Sequence, residues 1–116
     1  MLKKGAVILI PFPFTDLSGM KVRPAVVLAV PPKSDDVVVS FISSQKENKT
    51  KKMRTHEVAV TSPMTGFSRT GLKVDTVITV SKIATLDRKM ILGELGSLSP
   101  DLLHELNKKL KVFFSV

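Results

Sequence analysis

Residues 5–30 read GAVILIPFPFTDLSGMKVRPAVVLAV, and this stretch decides the fold. Its two ends, 6–10 and 25–30, are rich in Val and Ile and too short for free-standing helices, so they read as strands buried at least partly on both faces. Between them the chain turns, because Pro11 and Pro13 cannot donate to a central ladder and Asp16, Ser18 and Gly19 favour turns. Arg23 opens the second run and precedes Pro24, whose ring biases it toward an extended conformation. A guanidinium at the mouth of a strand is well placed to hold a phosphate.

Composition narrows the class. The 116 residues are 43% apolar and 5% aromatic, with six Phe and no Trp or Tyr, which predicts one domain, residues 1–116, around an aliphatic core. Eighteen Lys and Arg against ten Asp and Glu leave a formal charge of +8. Such a charge suits a polyanionic partner and also serves plain solubility. The absence of Cys excludes disulfides, thiolate metal sites and a cysteine nucleophile. No apolar run approaches the roughly 20 residues of a membrane span. Prolines interrupt the apolar run after Lys3 and Lys4 and no small-residue cleavage site follows, so a cytoplasmic protein without a signal peptide is expected.

Outward from the opening, 31–36 (PPKSDD) is a turn cluster and 37–42 a strand, making a hairpin with 25–30. Residues 46–54 (KENKTKKMR) form a basic surface loop, either solvated or in contact with phosphates. A strand is expected over 55–60 and an irregular connection over 61–71, where Phe67 either plugs the core or stacks on a base. Residues 72–80 show the clearest strand period, with Val74, Thr76, Ile78 and Val80 on one face. A separate short strand is expected over 83–86, and a short strand or turn over 90–98, where Gly93 and Gly96 argue against helix. The helix is C-terminal, with Ser99 as N-cap, Pro100 in the first position, Asp101 in the first turn, and a stripe of Leu103, Leu106, Leu110 and Phe113 or Phe114 facing the sheet. The expected class is mainly β, a small bent antiparallel barrel with one C-terminal α-helix.

The acidic residues and the two His show no metal-ligand spacing, and there is no glycine-rich phosphate loop, so neither a metal nor a cofactor is expected. His104, on the helix, reads as structural or solvent-facing. What remains is chemistry run by arginine, hydroxyl and backbone groups. RNA cleavage by its own ribose hydroxyl suits such a site, because the substrate supplies the nucleophile and Arg23 can neutralise charge growing on the phosphoryl oxygens.

The succession Gly5, a β run, PFPFTDLSG and KVRPAVVL resembles the opening of the MazF/PemK family of toxin–antitoxin toxins, although the family's acidic residue after the glycine is Ala6 here. The resemblance continues more loosely through KIATLD at 82–87 to the final helix. It implies an SH3-like barrel, a homodimer, a sequence-specific endoribonuclease acting on single-stranded RNA, and a cognate antitoxin whose acidic tail covers the RNA site. It also implies that an arginine of the arginine–proline motif, Arg23, works with a threonine at the end of the following strand, where FISSQ places Ser43. Serine keeps the hydroxyl and loses a methyl, which loosens its rotamer. Ser43 and Ser44 face opposite sides of a strand, so a slip of one residue exchanges them.

Thr55-His56 looks like a threonine–histidine pair of some members, which makes His56 either a proton shuttle or a hydrogen-bonded structural residue. RNA contacts are expected from Phe14, Thr15, Lys21, Ser44, Gln45, Lys46, Lys49, Lys51 and Lys52, in the loops flanking Arg23 and Ser43. Two other readings stand beside the nuclease. One is a catalytically silent RNA- or antitoxin-binding module. The other is a gyrase poison, a toxin type of similar fold that ends in a tryptophan-bearing tail, whereas this chain ends FFSV.

Overall fold

The computed structural model describes residues 2–13, 20–44 and 55–116. Among these, β1 is Ala6–Pro13, β2 Met20–Ala29, β3 Asp36–Ser44, β4 Glu57–Val60, β5 Thr76–Asp87 and β6 Gly93–Ser97, followed by helix α1, Pro100–Phe114. The strands form one antiparallel sheet in the order β4-β5-β3-β2-β1-β6, curled into a half-barrel with the helix against it.

The curl has local causes, because an extra residue on one strand bends it and increases its twist. Register shifts fall between Val7 and Ile8, between Val27 and Ala29, and between Ser40 and Phe41. The last is the largest. Phe41 pairs with Thr79 and its neighbour Ser40 pairs with Ile83, so Val80, Ser81 and Lys82 have no counterpart on β3. Two hydrogen bonds hold this bulge at Val80. Its N–H donates to the His56 carbonyl at 2.9 Å, and its carbonyl accepts from the buried Ser40 hydroxyl at 3.1 Å.

Strand alternation gives the sheet two buried faces. Val7, Val26, Ile42, Ile78 and Val80 pack with Leu102 and Leu106 of α1, whereas Ile8, Ile10, Ala25, Val27, Val37 and Val39 form a second cluster. Each fully buried aliphatic side chain contributes roughly 1.5–3 kcal/mol, so both layers matter to stability. Pro11 and Pro13 are strand residues rather than turn residues. They are tolerated because β6 pairs only with residues 6–9, so β1 is the sheet edge beyond Leu9.

The two strands expected over 72–80 and 83–86 are one strand, β5, running across the bulge. It starts at Thr76; Leu72 drops into the core ahead of it, while Val74, expected to face inward, is 57% exposed. Thr55 and His56 form the turn before β4 rather than its first residues, and residues 90–98 contain the end of a 3₁₀ turn, Arg88–Met90, and β6. The hairpin of β2 and β3 is as expected.

Helix α1 begins as its sequence predicts, with the Ser99 hydroxyl accepting from the Leu102 N–H at 3.3 Å and Pro100 in the first turn. Leu103 and Leu110 pack on the core, but Phe113 and Phe114 do not continue the stripe. They are 42% and 55% exposed and meet edge to face, with ring centroids 5.1 Å apart. Phe67 packs against the helix-side core. Gly96 lets β6 lie on the 3₁₀ turn Ser68–Thr70, since a Cβ there would come within 2.1 Å of the Arg69 carbonyl oxygen.

Candidate active site

The β2–β3 ladder ends at Ala25–Phe41, next to Pro24, which has no N–H to offer it. Beyond that point the two strands carry Arg23 and Ser43. Counting two residues further along each strand puts these side chains across from one another, and alternation puts both on the face of Ala25, Val27, Val37 and Val39. Both line one open cavity of about 540 Å³. Thr79, Ser81 and Lys82 add polar groups to its wall, and Phe41, Ile42 and Ile83 add apolar ones. Among the described residues no acidic side chain lines it.

The β5 bulge therefore has a use beyond curvature, for it brings a hydroxyl and an ammonium to the cavity that holds Arg23. Neither Ser81 nor Lys82 was singled out from sequence. The signal was present as the break in alternation between Val80 and Ile83, read there as the end of a strand.

Ser44, on the opposite side of β3, lines a second cavity of about 450 Å³ together with Lys21 and Lys73. Arg23 borders this cavity as well, so it stands between two spaces, neither lined by a carboxylate among the described residues. His56 lies half-buried in the turn before β4 and lines neither cavity; its carbonyl serves the bulge. The next residue, Glu57, is opposite Thr79 in the β4–β5 register and therefore shares the cavity's face of the sheet. It is 7% exposed and has a partner. His104 is exposed on α1. Phe14, Thr15, Gln45, Lys46, Lys49, Lys51 and Lys52 lie outside the described residues.

The arrangement joins a forked, permanently charged donor to hydroxyl donors and a lysine. Together these groups can neutralise and orient a phosphodiester. Among the described residues, no group of three or more His, Asp or Glu side chains gathers to hold a metal ion. No described helix is long and apolar enough to cross a membrane.

Solved structures with this fold are numerous. An endoribonuclease from a mycobacterial species in complex with its cognate antitoxin superposes with a TM-score of 0.72 at 16% identity, covering 100% of this chain and 97% of the other. The Mycobacterium tuberculosis toxin MazF-mt6 gives 0.71 at 18% identity, covering 96% and 97%. MazF in the MazE-MazF complex of Deinococcus radiodurans, Form-III, gives 0.70 at 21%, covering 99% and 97%. Identities this low speak to the fold alone. No curated protein sequence matches the chain. Residues 3–114, however, match the sequence profile described as PemK-like, MazF-like toxin of type II toxin–antitoxin system. With nearly the whole chain covered by that profile and an SH3-like half-barrel underneath it, this protein belongs to the MazF/PemK family of type II toxin–antitoxin toxins.

Proposed function

We propose that this chain, acting as one domain, is a metal-independent, sequence-specific endoribonuclease that cleaves single-stranded RNA and thereby stops translation and growth. The observation that carries the reading is the placement of Arg23 and Ser43 on one sheet face around one cavity, with Lys82 in its wall. In the proposed reaction the ribose 2′-hydroxyl attacks the adjacent phosphorus and loses its proton. The bond to the 5′-oxygen breaks, that oxygen takes up a proton, and the products are a 2′,3′-cyclic phosphate and a 5′-hydroxyl end. Arg23 holds the phosphoryl oxygens as their charge grows, Ser43 donates to one of them, and Lys82 adds positive potential. Because the nucleophile belongs to the substrate, no step needs a metal-bound water.

His56 suits proton exchange near neutral pH by its chemistry but lines neither cavity, so a shuttle role for it runs through an intervening water and stands beside its structural role at the bulge. Lys21 and Ser44, at the second cavity, contact the flanking nucleotides, together with Phe14, Thr15, Gln45, Lys46, Lys49, Lys51 and Lys52. The active form is a cytoplasmic homodimer, neutralised by a cognate antitoxin whose acidic tail covers the Arg23 cavity. Complexes of the mycobacterial and Deinococcus relatives with their antitoxins support that partner class.

The test incubates purified protein with a long single-stranded RNA in EDTA, maps the cuts and identifies the end groups, with Arg23→Ala alongside. Discrete cuts with cyclic-phosphate and 5′-hydroxyl ends, lost in the variant, are expected. Equal cleavage by Arg23→Ala refutes the assignment. A second reading, a binding module without catalysis, draws on Ala6 and on Ser43 in place of threonine. Salt-dependent RNA binding by folded protein that yields no product would establish it. Trapped DNA–gyrase adducts would instead point to a topoisomerase poison.

A further inference from the structure

The second cavity, of about 450 Å³, adjoins the first at Arg23 and Ile42, which line both. The junction lies next to the end of the β2–β3 ladder at Ala25–Phe41. Ser43 and Ser44 are consecutive on β3 and so face its two sides, Ser43 toward the first space and Ser44 toward the second. A phosphate held by Arg23 therefore leaves its neighbouring sugar and base room in the second cavity. The walls there are largely apolar, from Leu9, Val22 and Pro24 on the β1–β2 hairpin, Leu95 on β6, and Leu72 and Val74 ahead of β5. Val22 and Val74 are 52% and 57% exposed, which is apolar surface that a flat ring can cover.

The segment that carries Lys73 and Val74 is anchored on both sides. Gly71, at φ 74°, lies so close to β6 that a Cβ there would come within 2.2 Å of the Leu95 carbonyl oxygen. The Leu72 N–H donates to the Thr70 hydroxyl at 3.1 Å, and Asp75 Oδ1 accepts from the Ser62 N–H at 2.7 Å. Asp75 is thus engaged elsewhere and does not line the cavity, whose charged side chains among the described residues are Lys21, Arg23 and Lys73. Among the described residues the exposed Lys73 ammonium has no ion-pair or hydrogen-bond partner. The Thr76 hydroxyl gives its proton to the Val60 carbonyl at 3.3 Å.

We propose that the second cavity seats the nucleobase next to the phosphate held by Arg23, and that Lys73 makes this subsite selective for a keto base, uracil or guanine. The inference deepens the nuclease reading and rests on it for the position of that base beside the cut. The aliphatic walls cover the faces of the ring, and the rim reads its edge. Lys73 offers only N–H donors. Uracil presents two carbonyl oxygens and guanine the O6 and N7 acceptors, whereas cytosine and adenine carry an amino group where these have a carbonyl. An amino group facing an ammonium leaves two donors unpaired, which is the source of the discrimination. The Ser44 hydroxyl, which can accept as well as donate, suits the ring N–H that both keto bases carry.

The test measures fluorescence polarisation of labelled deoxyuridylate and deoxycytidylate hexamers with the full chain. Neither can be cut, because both lack the 2′-hydroxyl, and they differ in a carbonyl against an amino group on rings of one size. A deoxyadenylate hexamer with and without one central dG tests guanine in the same way. The parent is expected to bind the keto member of at least one pair about fivefold more tightly, and Lys73→Ala to remove that ratio. Lys108→Ala, exposed on α1 and outside both cavities, removes the same charge and should keep the ratio. Thermal melts verify folding. No preference in the parent, a preference kept by Lys73→Ala, or one lost equally in Lys108→Ala would each overturn the proposal. So would self-association that Val74→Ser abolishes and no hexamer competes, which would give the mouth to a second copy of the chain. On RNA, the cuts should share U or G at one fixed neighbouring position, and Lys73→Ala should relax it through KM with little change in kcat. Hexamer discrimination without RNA cleavage would sink the nuclease reading and leave the subsite standing; cleavage without discrimination would do the reverse.

Discussion

Ser40→Ala isolates the bulge that brings Ser81 and Lys82 to the Arg23 cavity. Ser40 is fully buried, and its hydroxyl donates to the Val80 carbonyl at 3.1 Å, where β5 leaves its register with β3. Alanine occupies the same space without the donor, so the change deletes one hydrogen bond and removes the donor from a carbonyl whose residue is itself buried. The net bond contributes about 0.5–1.5 kcal/mol, and an unsatisfied buried acceptor costs about 1–3 kcal/mol. The expected destabilisation is therefore about 2 kcal/mol. For a chain of this size it lowers Tm by roughly 8–12 °C, taking about 4–6 °C per kcal/mol. Urea denaturation measures the free energy directly, and hydrogen exchange of the Val80 N–H, which bonds the His56 carbonyl, reports the bulge locally. A loss under about 0.5 kcal/mol with unchanged exchange would refute the idea that this hydroxyl holds the bulge, since that is the size of an ordinary surface substitution.

Ser43→Thr restores a β-branched hydroxyl at the cavity, and its narrower rotamer choice should raise RNA cleavage by about two- to fivefold with little change in Tm; a drop in rate would show that the extra methyl collides with substrate. Gly96→Ala forces a Cβ to within 2.1 Å of the Arg69 carbonyl and must push β6 off its neighbouring 3₁₀ turn. It should cost about 1–3 kcal/mol in urea denaturation, whereas Gly93→Ala, with open space at that position, should cost far less. Lys82→Ala removes a cation from the Arg23 cavity, and the slope of log K against log salt for single-stranded RNA binding should fall in magnitude by about 0.7. An unchanged slope would place Lys82 away from the phosphates.

Much of the fold was legible because short Val- and Ile-rich runs bounded by turn residues suit strands buried on both faces. Residues 6–10, 25–30 and 37–42 read as strands for that reason, and Ser99-Pro100-Asp101 announced the helix through local capping chemistry. The misreadings share one cause. Pro11 and Pro13 belong to β1 because β6 stops pairing at Leu9 and leaves an edge, and residues 76–87 are one strand because Ser40 bonds the Val80 carbonyl across the sheet. Both depend on partners more than 35 residues away in sequence, which no local pattern reports. At the candidate site, Arg23 stood out from its position before Pro24. Thr79, Ser81 and Lys82 did not, because Thr79 reaches it through its register opposite Phe41, and Ser81 and Lys82 through the bulge.

The sequence by itself determined the strand-forming runs, the helix and its cap, the cationic surface and the family, because each rests on residue type and near-neighbour spacing. The tertiary structure alone decided that Ser43 shares with Arg23 the cavity whose lining the bulge of β5 completes, while Ser44 lines the other cavity that Arg23 borders. Which side chains face one another depends on strand register, which is set by the summed packing of the two buried faces and by hydrogen bonds between distant strands, so one residue of slip would have exchanged Ser43 for Ser44.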